Sequence, residues 1–208
     1  MRIVALDTAS EFGSIALLEN GDLVEELPLH APAGFGQVLF GHLQRLMSRH
    51  GWAYESVTGY AAGAGPGSFT GVRIALAAVK GLAETAGARA AAVSNLRAMA
   101  SFGRGGLRAP FYDARRGEVY GGLFDARLTP LCSEVVMPYS QWLLAARGKG
   151  EPEFITWTPE VFRIEAVCAP RALAAAIGRL AAAELADPAA LDANYVRRSD
   201  AELHWKES

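Results

Sequence analysis

The densest chemical signal in the chain is Gly63-Ala64-Gly65-Pro66-Gly67-Ser68-Phe69-Thr70-Gly71-Val72-Arg73. Its glycines allow close backbone approach to a ligand, Ser68 or Thr70 can cap a following helix, and a helix start offers free N–H groups to an anion. It is not a Walker A loop, because no lysine follows the glycines before Lys80. The same residues also make a tight turn with a good helix cap, and composition alone favours that plainer reading over a phosphate site. Asp7 and Thr8 end the first apolar run, beside a hairpin that carries Ser14. Asp113 stands at the matching place in the second half, in Tyr112-Asp113-Ala114-Arg115-Arg116-Gly117-Glu118-Val119-Tyr120. A carboxylate at a strand end can hold a metal–phosphate complex or cap a turn. Taken singly, each aspartate reads as structural; as a pair they point to a shared cleft. Asp7, Gly65, Gly67, Ser68, Thr70 and Asp113 are therefore the candidate nucleotide or phosphate contacts. The histidines, His30, His42, His50 and His204, form neither HxxxH nor HExxH, so no metal site is expected. Ser68 has no histidine base near it in sequence, which counts against a serine hydrolase.

These residues need elements to position them. Arg2 to Asp7, Ser14 to Leu18 and Leu23 to Leu27 read as strands, with Asn20-Gly21 as a hairpin turn and Pro28 and Pro32 closing the unit. Phe35, Val38, Leu39, Leu43, Leu46 and Met47 recur at helical spacing, which predicts a helix over Phe35 to His50. A strand over Val57 to Ala62, a helix over Thr70 to Thr85 and a strand over Ala90 to Val93 follow, and Ser94 can cap a short helix to Phe102. The second half restarts with strands over Ala109 to Tyr112, Glu118 to Phe124 and Leu131 to Met137. A helix over Gln141 to Arg147, a strand over Glu153 to Trp157 and an Ala-rich helix from Pro170 to Leu185 complete it. Both halves run through strands first and then alternate helix and strand, which argues for an α/β fold of two similar subdomains. The Thr70 helix carries two apolar stripes, Val72, Leu76, Val79 and Leu82 on one side and Gly71, Ile74, Ala78 and Gly81 on the other. One stripe suits its own sheet. The second suits either another chain or packing within this one, and the sequence leaves that open.

Gly103-Arg104-Gly105-Gly106 is the candidate linker, dividing the chain into residues 1–104 and 105–208. Across 208 residues, 51% are hydrophobic and 20 basic residues face 22 acidic ones, which excludes global disorder and bulk-charge coating of nucleic acid. Cys132 and Cys168 are far apart and build no disulfide framework or cysteine zinc site. No stretch reads as a targeting signal or a membrane span, so a cytoplasmic protein without membrane contact is expected.

Ile3-Val4-Ala5-Leu6-Asp7-Thr8-Ala9, the Gly65–Arg73 loop, Asp113–Tyr120 and Tyr195-Val196-Arg197 occur in this order, and together they resemble the TsaB (YeaZ) family of bacterial tRNA-modification proteins. The resemblance implies an actin/Hsp70/sugar-kinase-like fold of two similar subdomains. It also implies a role in making threonylcarbamoyladenosine at adenosine 37 of ANN-decoding tRNAs. In that family a separate synthase makes threonylcarbamoyl-adenylate, and the related subunit TsaD holds the metal and transfers the group to the adenine N6. A TsaB chain lacks the metal histidines. The expectation is a non-catalytic activating partner of TsaD, joined by the ATPase TsaE, which meets tRNA through the complex and ATP or ADP only at the complex interface. The two N-terminal helices form the family's interface, with TsaD or with a second TsaB copy in a homodimer. On this sequence they supply Phe35, Leu39, Phe40, Leu43, Met47, Gly71, Ile74, Ala78 and Gly81, and an arginine at Ile74 or Ala78 is expected to block docking of a folded chain. Ala33-Gly34-Phe35-Gly36-Gln37 departs from the His-Ser or His-Thr pair of many relatives, and Ala64 stands where a basic residue is common. The rival readings are an independent ATP-dependent kinase or ATPase using Asp7, Asp113 and the loop, and a metalloprotease-like enzyme, against which the missing histidines count.

Overall fold

The computed structural model describes residues 1–196. Arg197, Arg198 and His204 lie outside the described residues. β1 (Arg2–Asp7), β2 (Phe12–Glu19) and β3 (Asp22–His30) form an antiparallel meander. The turn between β2 and β3 is Asn20-Gly21, where both residues take positive φ, 54° and 93°, as a twist-matched two-residue hairpin requires. β3 does not stop at Pro28 as the sequence suggested. It is the edge strand, where a missing N–H costs no ladder hydrogen bond, and it continues to His30.

α1 (Leu39–Arg49) begins later than the periodicity indicated. Phe35 to Val38 forms a separate turn, and Val38 offers no side-chain cap. β4 (Gly59–Gly63) and β5 (Arg89–Val93) flank α2 (Phe69–Ala86) and run parallel to β1, giving the order β3-β2-β1-β4-β5. Ser68 caps α2, accepting the Gly71 N–H at 3.2 Å, and Gly87 at φ 62° ends it.

α3 (Asn95–Ala100), capped by Ser94 as expected, leads into the second half. There the chain builds β6 (Leu107–Asp113), β7 (Glu118–Gly121), β8 (Phe124–Asp125), β9 (Val135–Pro138), α4 (Tyr139–Arg147), β10 (Glu153–Thr156), α5 (Pro159–Phe162) and β11 (Val167–Cys168). The second sheet has the order β11-β10-β6-β7-β9, with β8 beside β6. β6 and β7 are antiparallel, β7 and β9 are antiparallel, and β10 and β11 continue parallel to β6. With β6 read for β1, this is the order and strand polarity of the first sheet. The repeat that sequence hinted at is therefore a duplication of topology, the two-subdomain architecture of the actin/Hsp70/sugar-kinase class.

The Ala-rich helix is shorter than expected: α6 spans Ala174–Ala181. It returns to the first sheet, where Ala174 to Ile177 pack on Ile3, Ala5, Ala16 and Ala61. α1 and α2 cover that sheet's other face, α3 covers the inner face of the second sheet, and α4 and α5 its outer face. Among the described residues no helix is long and apolar enough to cross a membrane.

Candidate functional site

The glycine loop joins β4 to α2 at the carboxyl end of the first sheet. Its glycines are explained by neighbours in this chain. A Cβ on Gly71 would lie 2.0 Å from the Thr8 carbonyl oxygen, one on Gly67 2.3 Å from that of Ala9, and one on Gly63 2.7 Å from Asp7 Oδ1. Four of the loop's donors are also used internally. The N–H groups of Ala64, Gly65 and Ser68 donate to the Val93 carbonyl, Asn95 Oδ1 and the Ala9 carbonyl, while that of Gly71 goes to Ser68 Oγ. Thr8 Oγ1 closes the contact from β1, donating to the Gly71 carbonyl at 2.6 Å. The loop is thus fastened through four of its N–H groups and the Gly71 carbonyl, the last of these to the end of β1.

Asp7, at the end of β1, is 3% exposed. Its Oδ1 accepts the Ala9 N–H at 3.1 Å and Asn95 Nδ2 at 2.9 Å. Burial pushes this carboxyl up to about 6, against the lowering effect of both hydrogen bonds, and the charge of Glu26 adds to the rise. Glu26 occupies the N-terminus of α6: its Oε1 accepts the Ala175 N–H at 3.0 Å and Ser14 Oγ at 2.9 Å, and Ser14 Oγ accepts the Ala174 N–H. A helix start that would attract an anion carries the chain's own carboxylate instead.

The second half closes over this region. Tyr112 of β6 is buried and donates its hydroxyl to the Pro66 carbonyl at 2.6 Å. Burial raises its phenol well above the ordinary value, so it stays a neutral donor. Glu134 accepts from Ser94 Oγ and from Asn194 Nδ2, and the Asn194 N–H donates to the Ala64 carbonyl at 2.8 Å. Burial raises the Glu134 carboxyl too, despite both side-chain hydrogen bonds.

Asp7 and Asp113 occupy equivalent strand ends, yet their surroundings differ. Asp113 is exposed and accepts the Arg115 N–H at 2.8 Å, capping a hairpin tip in which Arg115, Arg116 and Gly117 take φ of 67°, 59° and 75°. The cleft pairing read from the sequence is replaced by Asp7 with Asn95, whose role had no sequence signal beyond its place after the Ser94 cap. Tyr112 had one: it adjoins Asp113 in the quoted motif.

The expected partner face needs a larger correction. Phe35, Leu39, Leu43, Met47, Gly71 and Ala78 are buried in this chain's own core, because the main stripes of α1 and α2 pack on the first sheet. An arginine at Ala78 would therefore break the core rather than block a partner. What remains outside is Phe40, 51% exposed, with Ile74 half-buried and Gly81 exposed, with open space where a Cβ would stand. Thr70, Ile74, Ala77, Gly81 and Thr85 make one uncharged stripe along α2, spaced by three or four residues. Phe69 and Arg73 begin the same helix, with the Arg73 guanidinium 3.6 Å from the Phe69 ring centroid and its Nε donating to the Tyr195 hydroxyl.

Against known proteins, a chain from Bacillus subtilis, "tRNA threonylcarbamoyladenosine biosynthesis protein TsaB", is 30% identical over 230 residues, covering 100% of this chain and 99% of its own. The chain belongs to the TsaB family. An Escherichia coli TsaB is 38% identical over 124 residues, 58% of this chain and 53% of that protein. The family model described as "TsaD: tRNA N6-adenosine threonylcarbamoyltransferase" matches residues 27–186. A crystal structure from Pseudomonas aeruginosa, described as an uncharacterised protein with similarity to peptidase YEAZ, superposes with a TM-score of 0.78 at 28% identity, over 94% of this chain and 99% of that one. A second Pseudomonas aeruginosa YeaZ structure gives 0.72 at 26% identity. The loop motif holds the end of β1, is met from the second half by Tyr112 just before the Asp113 motif, and leads into Arg73, which donates to Tyr195 of the last motif. Among the described residues no three or more His, Cys, Asp or Glu side chains gather so as to hold a metal ion.

Proposed function

We propose that this chain takes part in tRNA threonylcarbamoyladenosine synthesis as a non-catalytic activating subunit that docks on TsaD. Its relatives' names support the process. The observation that carries the subunit role is the uncharged stripe of small and apolar residues along the outside of α2, Ile74, Ala77 and Gly81, together with the exposed Phe40 on α1. Chemistry at the chain's own cleft is poorly supported. Asp7 is committed to Asn95 and Ala9, Glu26 to the start of α6, and the glycine loop to β1. Nucleotide is assigned to the assembled complex and not to this chain, tRNA contact runs through the complex, and TsaE joins as a further component. A second copy of this chain would compete for the same face. Docking activates TsaD only if this chain binds its active arrangement more tightly than the inactive one.

The test is reconstitution with TsaD, TsaE, the adenylate synthase, tRNA, threonine, bicarbonate and ATP, with and without this chain. Modified tRNA is expected only when the chain is present, and none from the chain with the synthase alone. Equal modification without it would reject the role, and ATP turnover by the pure chain would favour an independent ATPase.

A further inference from the structure

A continuous ladder of rings crosses between the two halves. It starts on the first sheet, where His30 of β3 stacks on Phe12 of β2 with centroids 4.4 Å apart and planes 11° apart. Arg171, in the segment between β11 and α6, lies over Phe12 at 4.5 Å and over Trp157 at 5.5 Å. Trp157 follows the last residue of β10 and stacks on Tyr112 at 4.3 Å and 24°. The Tyr112 hydroxyl then returns to the first half through the Pro66 carbonyl. One planar cation thus touches a ring from each half, which a guanidinium does better than an ammonium. Among the described residues Arg171 makes no ion pair, so its contacts with these rings define its place. The Trp157 Nε1 is buried without a hydrogen-bond partner, an arrangement that keeps the ring in the ladder at the expense of its donor.

We propose that Arg171 is the pin of a strut that fixes the angle between the two sheets, so that a chain with the architecture of a hinged cleft does not hinge. The strut holds the α1–α2 face and the β6–β7 hairpin tip in one arrangement, and Arg171 is a positioning residue for both. This does not rest on the proposed partner.

The experiment is amide hydrogen exchange on the whole chain, comparing wild type with Arg171→Met and Phe12→Leu. Arg171→Met keeps length and loses the planar cation; Phe12→Leu keeps apolar bulk and loses the ring. Both should speed exchange at Ala64, Gly65, Gly67 and Ser68 in the first half and at Phe154 to Thr156 in the second by roughly three- to tenfold, with the amides of β1 and Gly59 to Ala62 unchanged. Unchanged exchange at both segments would overturn the strut. So would acceleration confined to the neighbours of each substitution, which makes the contacts local. Uniform acceleration that includes β1 would also overturn it, since Arg171 would then be a general stability residue.

Discussion

Asp7→Asn isolates the cost of holding a carboxylate in the buried junction. In the folded chain burial pushes the Asp7 carboxyl up to about 6, from an ordinary value of 3.8. The folded state therefore binds this proton more tightly than the unfolded chain does. Stability from this group is fully present below the unfolded value and is lost as pH rises through the folded one. A shift of about 2 units at about 1.4 kcal/mol each gives a total loss of about 3 kcal/mol, of which about 2.5 kcal/mol falls between pH ~4 and pH ~7.5. Asparagine cannot ionise, and its Oδ1 can still accept from Ala9 and Asn95. The assay is urea unfolding of wild type and Asp7→Asn at both pH values. The wild type should lose about 2.5 kcal/mol more than the variant on going to the higher pH, a midpoint difference of roughly 1 M at a slope of about 2 kcal/mol/M. Glu134, raised in the same direction, contributes to both proteins and cancels in the difference. Parallel pH profiles would refute the reasoning, since Asp7 would then ionise in the folded chain at no cost.

Two glycines of α2 should respond with opposite signs. Gly71→Ala drives a Cβ into the Thr8 carbonyl and should cost about 3 kcal/mol, or roughly 6–12 °C in thermal midpoint, whereas Gly81→Ala fills open space and should gain about 0.5–1 kcal/mol of helix propensity. Gly81→Arg and Ile74→Arg should leave the circular dichroism spectrum and melting cooperative but weaken TsaD binding about a hundredfold or more in titration calorimetry; full affinity in both would remove the α1–α2 face as the docking surface. Tyr112→Phe should lower urea stability by about 1–2 kcal/mol, because the Pro66 carbonyl loses its buried donor.

The local elements were legible in the sequence because their causes are local. Asn20-Gly21 made its hairpin, Ser68 and Ser94 capped their helices, Gly87 stopped α2, and the ordered motifs placed the chain in its family. Each depends on residues a few positions apart, through backbone freedom or a nearby N–H. The edge position of Pro28 was not legible, because sequence does not state which strand lacks a neighbour. Helical spacing showed that Leu39, Leu43 and Met47 share a face but not that the face meets this chain's own sheet. The junction was hidden for the same reason. Gly71 is required by Thr8, 63 residues away, and Asp7 is held by Asn95, 88 residues away. Only the sheet order brings the end of β1 beside those of β4 and β5, and only the return of α6 sets Arg171 between Phe12 and Trp157. The sequence determined which residues could make a phosphate-like loop. Tertiary packing decided that the N–H groups of Ala64, Gly65, Ser68 and Gly71, and the carboxylate beside them, are used within the chain itself, because a buried polar group must find its partner wherever the fold places one.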